Sequence, residues 1–312
     1  MGATIMEKAL AIQKQVQEIL GTDQVFLVGG SVRDLVMGNT PKDYDFTTSM
    51  LPEQMVEKVK AAGRRVYTIG EKFGTIGFKV PVQSEYVENS PTPHAKFEYV
   101  EVTTFRSEVY TNKSRKPEVK FVPSLDEDLA RRDFTMNAMV LRSDGSIYDP
   151  YGGKLDIYAK QIKTVGLPKD RILEDPLRIF RAARFAARYG FKIDPNFIGK
   201  GRQLADRIFD VSVERWVQEL DKLLTSDYII IGLGALHEMG VAQRIFPEIT
   251  RPTLALETSK DPDEAWKDLL RNIDVPEMIN EPTRTMKFIQ AGICHRFKFS
   301  NDRTDFILDK SK

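Results

Sequence analysis

Cysteine is nearly missing from this sequence: 312 residues hold one, Cys294. A single thiol excludes an intramolecular disulfide framework and suits a reducing cytosol. Histidine is scarce too. The three copies (His94, His237, His295) are scattered, and with one thiol they do not build a usual zinc site. No apolar run reaches the ~18 residues that a membrane span needs, and the N-terminus lacks the apolar core of a signal peptide. The expectation is therefore a soluble, cytoplasmic protein with no membrane partner. Net charge is also lacking, since 46 basic residues face 45 acidic ones for a balance of +1. Any nucleic-acid contact must come from local patches rather than a global field. Internal repeats and low-complexity tracts are absent.

What is present is an ordinary globular composition, 41% hydrophobic and 29% charged, at a length that allows two or three domains. The stretch that organises it is residues 26–46, FLVGGSVRDLVMGNTPKDYDF. Phe26-Leu27-Val28 reads as a buried strand that stops at Gly29-Gly30, where the missing β-carbons let the backbone bend and approach a ligand. Ser31 is suited to cap a short helix carrying Arg33, and Gly38 ends it. A second strand follows in which Asp43 and Asp45 share one face, with Tyr44 and Phe46 on the other. Taken alone, Asp-x-Asp fits two solvated aspartates on an edge strand. Beside Gly-Gly and Arg33 it also fits a site for hard divalent ions, which would neutralise two repelling carboxylates and leave positions open for phosphate oxygens.

Further along, residues 4–20 read as an amphipathic helix. Thr48 or Ser49 is placed to cap a helix opened by Pro52 and closed by Gly63. Strands are expected over residues 65–69 and 75–82. In residues 97–105 the alternation puts Phe97, Tyr99, Glu101 and Thr103 on one face; by itself Glu101 reads as a surface acid. Residues 106–124 are polar, basic and aperiodic, which predicts a long loop. After a short helix, Arg132-Asp133 with Asn137 four on fits either a helix cap or a set that hydrogen-bonds a ribose hydroxyl. Residues 172–191 read as a helix on which Arg178, Arg181, Arg184 and Arg188 form a stripe opposite Ile179, Ala182, Ala183 and Ala186. With few acids at i±4, the stripe is either a solvated basic face or a set of donors for phosphates and base edges. Residues 228–246 read as a core helix. Beyond Pro247 the chain is proline-punctuated and polar, with further helices expected over residues 283–312.

Taken in order, Gly-Gly-x-x-Arg, Asp43-x-Asp45, Glu101-Val-Thr-Thr-Phe-Arg, Arg-Arg132-Asp-Phe-Thr-x-Asn137-Ala and Glu174-Asp-x-x-Arg178 resemble the motifs of class II tRNA nucleotidyltransferases and bacterial poly(A) polymerases, in the polymerase β nucleotidyltransferase superfamily. The resemblance runs over roughly residues 25–250. It implies an α+β fold: a polymerase-β-like nucleotidyltransferase head with a mixed β-sheet (1–150), an all-helical neck for base selection and RNA binding (151–250), and a shortened helical body (251–312). It implies Asp43 and Asp45 as ligands of two Mg2+ ions, with Glu101 as a third catalytic acid. Gly29, Gly30 and Arg33 would meet the triphosphate, and Arg132, Asp133 and Asn137 the ribose. Asp175 and Arg178 would read the base, supported by Arg181 and Arg184. Residues Tyr110, Arg115 and Pro117 match a flexible loop that in the family helps switch between C and A addition.

The implied activity is template-independent addition of C, C and A to a tRNA 3′ end from CTP and ATP. Poly(A), A-only or CC-only addition is the nearest alternative; poly(A) ranks second because Glu71-Lys72-Phe73 stands where poly(A) polymerases have a basic pair. A catalytically inactive RNA-binding protein is the alternative of another class. A dinucleotide-binding oxidoreductase is disfavoured, since Gly29-Gly30 lacks the Gly-x-Gly-x-x-Gly spacing. Full-length relatives continue into a longer helical tail, whereas this sequence ends at Lys312. Oligomeric state is not legible.

Overall fold

A computed structural model describes residues 4–82, 96–109 and 118–245. Residues 110–117 of the expected 106–124 loop, with Tyr110, Arg115 and Pro117, and the expected elements over residues 246–312 lie outside the described residues. The chain divides into two units, Met1–Ala159 and Lys160–Lys312.

The first unit opens with α1 (Ile5–Leu20), which buries Ala9, Ile12, Val16 and Leu20 on one stripe. Thr4 and Glu7 close a capping box at its start: the Glu7 amide donates to Thr4 Oγ1 at 3.2 Å and the Thr4 amide to the Glu7 carboxylate at 2.7 Å. Then come β1 (Val25–Val28), α2 (Gly30–Val36), β2 (Tyr44–Thr48), α3 (Pro52–Ala61), β3 (Val66–Tyr67), a 3-10 turn at Glu71–Phe73, β4 (Thr75–Val82) and β5 (Lys96–Thr104). A hairpin of β6 (Arg106–Val109) and β7 (Glu118–Phe121) follows. After it come α4 (Leu125–Ala130), a 3-10 turn at Thr135–Asn137, β8 (Val140–Leu141), β9 (Ile147–Tyr148) and α5 (Gly153–Tyr158).

Seven strands form one mixed sheet in the order β3-β4-β5-β2-β1-β8-β9. The β2–β5 pair is parallel and the others are antiparallel. One face buries Tyr44, Phe46, Val100, Val102 and Phe78. The Lys8 ammonium of α1 lies 5.8 Å from the Tyr44 ring centroid, so α1 covers this side. The strict alternation along β2 and β5 leaves the polar set on the opposite face.

Three local expectations are corrected. The α3 helix is preceded by Leu51, not capped by Thr48 or Ser49; Thr48 Oγ1 donates instead to the Gln24 carbonyl at 2.7 Å, and Gln54 accepts from the Leu51 amide at 3.0 Å. The aperiodic stretch after Phe105 is not all loop, because β6 and β7 pair in register from Arg106↔Phe121 to Val109↔Glu118. Ladder bonds between strands do not need apolar alternation when a hairpin has little to bury, so periodicity missed it. Strand β3 is shorter than the residues 65–69 expected.

The second unit has a two-stranded parallel pair, β10 (Gln161–Ile162) and β11 (Lys192–Ile193). Its helices are α6 (Pro168–Glu174), α7 (Leu177–Tyr189), α8 (Pro195–Gln203), α9 (Val213–Leu224), α10 (Ile229–Glu238) and α11 (Ala242–Ile245), with a 3-10 turn at Ala205–Asp210. The small-residue face of α7 does what its composition promises: α10 crosses it so closely that a Cβ on Gly232 would sit 2.7 Å from Ala187 Cβ. Phe180 stacks on Trp216 of α9 with centroids 5.4 Å apart. The expected helix over 172–191 is two helices, because Pro176 has no amide hydrogen to continue the ladder and disfavours a helical residue before it. The 228–246 helix is also broken, at Gly240 (φ +70°).

Candidate active site

The first unit's site begins where β1 ends. Gly29 takes φ +72° and ψ −128°, a region closed to side chains, and a Cβ there would lie 3.0 Å from a terminal nitrogen of Arg132. The turn therefore requires glycine twice over. α2 starts directly at Gly30, so Ser31 is inside the helix rather than its cap. Its hydroxyl serves the next strand instead, donating to the Asp43 carbonyl at 2.8 Å and accepting from the Asp45 amide at 3.1 Å. Ser31 thus fixes the backbone on both sides of Tyr44, and with it the origin of both aspartates. This role crosses from helix to strand and leaves no local spacing signal.

Asp43 lies just ahead of β2 and Asp45 within it, both exposed, while Tyr44 and Phe46 are buried. Parallel pairing sets Asp45 directly beside Glu101 of β5. The three acids named from sequence thus come to one face of the sheet. The Asp45 carboxyl is pushed up to about 6, first by loss of hydration against the sheet and then by the charges of Glu101 and Asp43, with Arg132 opposing. Although Asp45 presents surface to solvent, its neighbours make ionisation costly. Among the described residues, no three or more histidine, cysteine, aspartate or glutamate side chains are already gathered closely enough to hold a metal ion.

Next to the acids is a connected set of polar side chains. Arg33 is buried, donates to the Asp34 carboxylate at 2.8 Å and to Asn137 Oδ1 at 2.8 Å. Asn137 Nδ2 donates in turn to Asp133 Oδ1 at 3.0 Å, which also accepts from the Phe134 amide. Arg132 reaches the Asn137 carbonyl at 3.4 Å and pairs with Asp128 at 3.1 Å. Arg33, Arg132, Asp133 and Asn137 are therefore together, although Arg33 comes from a helix 104 residues before Asn137.

Asp128 is the residue that sequence reasoning missed. It is fully buried, pairs with Arg131 at 2.8 Å as well as Arg132, and accepts from Thr47 Oγ1 and the Arg106 amide, each at 3.3 Å. Burial pushes its pKa up, but the two guanidiniums and their hydrogen bonds outweigh that and lower it. Its i+3 and i+4 spacing to the two arginines was the available signal.

In the second unit, α6 ends at Glu174, and Asp175 and Pro176 carry the chain into α7. The expectation that the α7 arginines lack acidic partners is corrected. Arg178 is buried and donates to the Glu174 carboxylate at 2.7 Å and the Arg171 carbonyl at 2.9 Å. Arg184 meets Glu219 of α9 at 2.5 Å, and Arg181 meets the same carboxylate at 3.5 Å. Both guanidiniums lie against the Phe185 ring, 4.0 Å away for Arg184 and 5.6 Å for Arg181. Asp175 accepts from Arg215 at 2.8 Å and from the Leu177 amide at 3.1 Å. Glu219 and Arg215 were invisible as partners because they come from another helix, 35 and 40 residues away. Glu174, four before Arg178, was open to inspection but separated from it by Pro176.

Residues 25–163 match the poly A polymerase head domain, and residues 190–251 match a probable RNA- and SrmB-binding site of polymerase A. A CCA-adding enzyme of Geobacillus kaustophilus (strain HTA426) is 34% identical over 281 residues, 87% of this chain and 64% of its own. That of Bacillus subtilis (strain 168) is 36% identical over 263 residues, 81% of this chain and 61% of its own. The chain thus spans under two thirds of the length of these relatives. The crystal structure of the Bacillus stearothermophilus CCA-adding enzyme in complex with CTP superposes with a TM-score of 0.62 at 35% identity, over 77% of this chain and 53% of that one. With a mixed-sheet head, a helical part behind it in sequence and both family models matched in order, the chain is similar to CCA-adding enzymes and carries a match to the poly A polymerase head domain over residues 25–163.

Proposed function

We propose that this chain adds C, C and A to the 3′ end of tRNA, using CTP and ATP, without a nucleic-acid template and with release of pyrophosphate. The observation that carries the reading is the in-register pairing of Asp45 with Glu101, with Asp43 two residues ahead, in a sheet face where Asp45 titrates near 6. Three like charges repel, and a hard divalent cation is what would draw them together; the all-oxygen donor set fits magnesium. We assign two Mg2+ ions to Asp43 and Asp45, with Glu101 beside them. Bound there, the ions would supply charge neutralisation for the triphosphate and the leaving pyrophosphate, and would favour the ionised form of the attacking 3′-hydroxyl.

The remaining work falls to the chain's own side chains. Ser31 holds the spacing of the two aspartates. The Gly29-Gly30 turn leaves the backbone uncovered beside Arg132, where, with Arg33, it would meet the triphosphate. Asn137, oriented by Arg33 and Asp133, would offer hydrogen bonds to the ribose. In the second unit, Asp175 and Arg178 would read the Watson–Crick edge. CTP and ATP present an exocyclic amine where UTP and GTP present a carbonyl, and a pocket built for one leaves polar groups unpaired with the other. Arg181 and Arg184, fixed by Glu219, would support that pair. Among the described residues no helix is long and apolar enough to cross a membrane, and we place the protein in the cytoplasm.

The test is to sequence the products formed by purified protein from magnesium, all four NTPs and a tRNA lacking its 3′ end. A discrete C-C-A addition supports the reading. Long A tracts would move the protein to poly(A) synthesis, and no product with any RNA would overturn the activity.

A further inference from the structure

The carboxylate face of the first unit carries aromatic rings as well. Register across β3, β4, β5 and β2 sets Tyr67, Gly77, Glu101 and Asp45 in one row. Gly77 leaves a gap in that row, and Tyr99 leans into it from the adjacent position on β5. The fit is close: a Cβ on Gly77 would lie 2.0 Å from Tyr99 Oη. The Tyr99 ring meets Tyr67 edge-on at 5.6 Å and 72°, and its hydroxyl donates to Glu101 at 3.3 Å. The ring is nonetheless 43% exposed, and Phe97, two residues before it on the same face, is 46% exposed. Cations border the rings: the Arg65 guanidinium is 5.2 Å from the Tyr67 centroid, and Lys79, the cross-strand partner of Tyr99, is exposed.

We propose that Tyr99, backed by Tyr67 and continued by Phe97, is a stacking platform for the terminal bases of a single-stranded RNA 3′ end, with Arg65 and Lys79 offsetting the backbone phosphates. Every base offers a π-face, so stacking holds a strand without selecting its sequence, and a basic border tracks its phosphates. The exposed rings lie on the same strand and face as Glu101, in continuity with the carboxylate row. A base held there brings its own ribose hydroxyl to the side of Asp45 and Glu101. The assignment rests on reading that row as the nucleotidyl-transfer site.

The experiment uses the full chain and a short oligoribonucleotide carrying 2-aminopurine at its 3′ end, without metal or NTP. Stacking quenches the probe. Wild type is expected to bind and quench. Tyr99→Phe, which loses the hydroxyl bond to Glu101 and keeps the ring, is expected to do the same. Tyr99→Ala should lose the quench and bind about ten- to a hundredfold more weakly. A wild type that does not quench, or a Tyr99→Ala variant that matches it, overturns the platform. Primer extension with magnesium and CTP is measured in parallel. Extension without quenching leaves the activity standing and removes the platform; quenching without extension leaves an RNA-binding surface and removes the activity.

Discussion

In the first unit Asp43, Asp45 and Glu101 bring three negative charges to one sheet face, and among the described residues none of them has a lysine or arginine in an ion pair. In the second unit Arg178, Arg181 and Arg184 are met by Glu174 or Glu219 within 3.5 Å. The same contrast occurs inside the first unit. Burial raises the pKa of both Asp45 and Asp128, yet Asp128 ends low because Arg132 and Arg131 pair with it, and Asp45 ends high because its nearest charges are acids. A carboxylate cluster left in mutual repulsion is arranged for a cation from outside the chain. A buried arginine held by a carboxylate is arranged to stay in one orientation, which is what a group that reads hydrogen bonds needs.

The largest test of that contrast is Asp43→Ala, expected to abolish nucleotide addition while the thermal unfolding midpoint stays within a few degrees; retained activity would remove the metal assignment. Next is Glu219→Ala, which takes the Glu219 carboxylate away from the buried Arg184 guanidinium. It should destabilise the second unit by about 3–5 kcal/mol in denaturant unfolding, and an unchanged midpoint would show the pair to be incidental. Arg178→Ala should relax the choice among the four NTPs by about ten- to a hundredfold in direct competition, more than it weakens binding of CTP. Ser31→Ala removes two hydrogen bonds to the aspartate strand and should cost about 1–2 kcal/mol in transition-state stabilisation, read as a fall in kcat at nearly constant KM.

The smallest effect has the opposite sign. With its folded pKa near 6 and an unfolded value of about 4, ionising Asp45 works against folding. Metal-stripped protein therefore keeps this increment below about pH 4 and loses it as pH rises through about 6. Solvent screening at an exposed site reduces the effect to about 1 kcal/mol or less. Asp45→Asn should raise the melting temperature of metal-stripped protein at pH 8 by about 2 °C, with no gain at pH 4. A gain equal at both pH values would show that charge repulsion is not its source.

Much of the site was legible because its parts are local. Asp43-x-Asp45 and the alternation around Glu101 fix side chains on one face of a strand, Gly29-Gly30 marks the turn beside them, and Arg132, Asp133 and Asn137 are near neighbours along the chain. The small-residue face of α7 was legible for the same reason and is where α10 crosses. What local pattern did not carry were the partners from elsewhere: Asp128 joining Thr47 and Arg106, Glu219 joining Arg181 and Arg184, Arg215 joining Asp175. The β6–β7 hairpin escaped because strand pairing uses backbone groups that every residue has.

The sequence by itself determined which side chains are available for chemistry, since the identity and spacing of acids, glycines and arginines are read directly from the chain, and hydrophobic period placed the longer helices and strands; the fold class and the roles came from the family resemblance. Only the tertiary structure decided which charges would be compensated. That depends on the register of β2 against β5, which sets Asp45 beside Glu101, and on the packing of α9 against α7, which sets Glu219 beside two arginines. Electrostatic energy depends on distance and on surroundings, and both are properties of the folded chain.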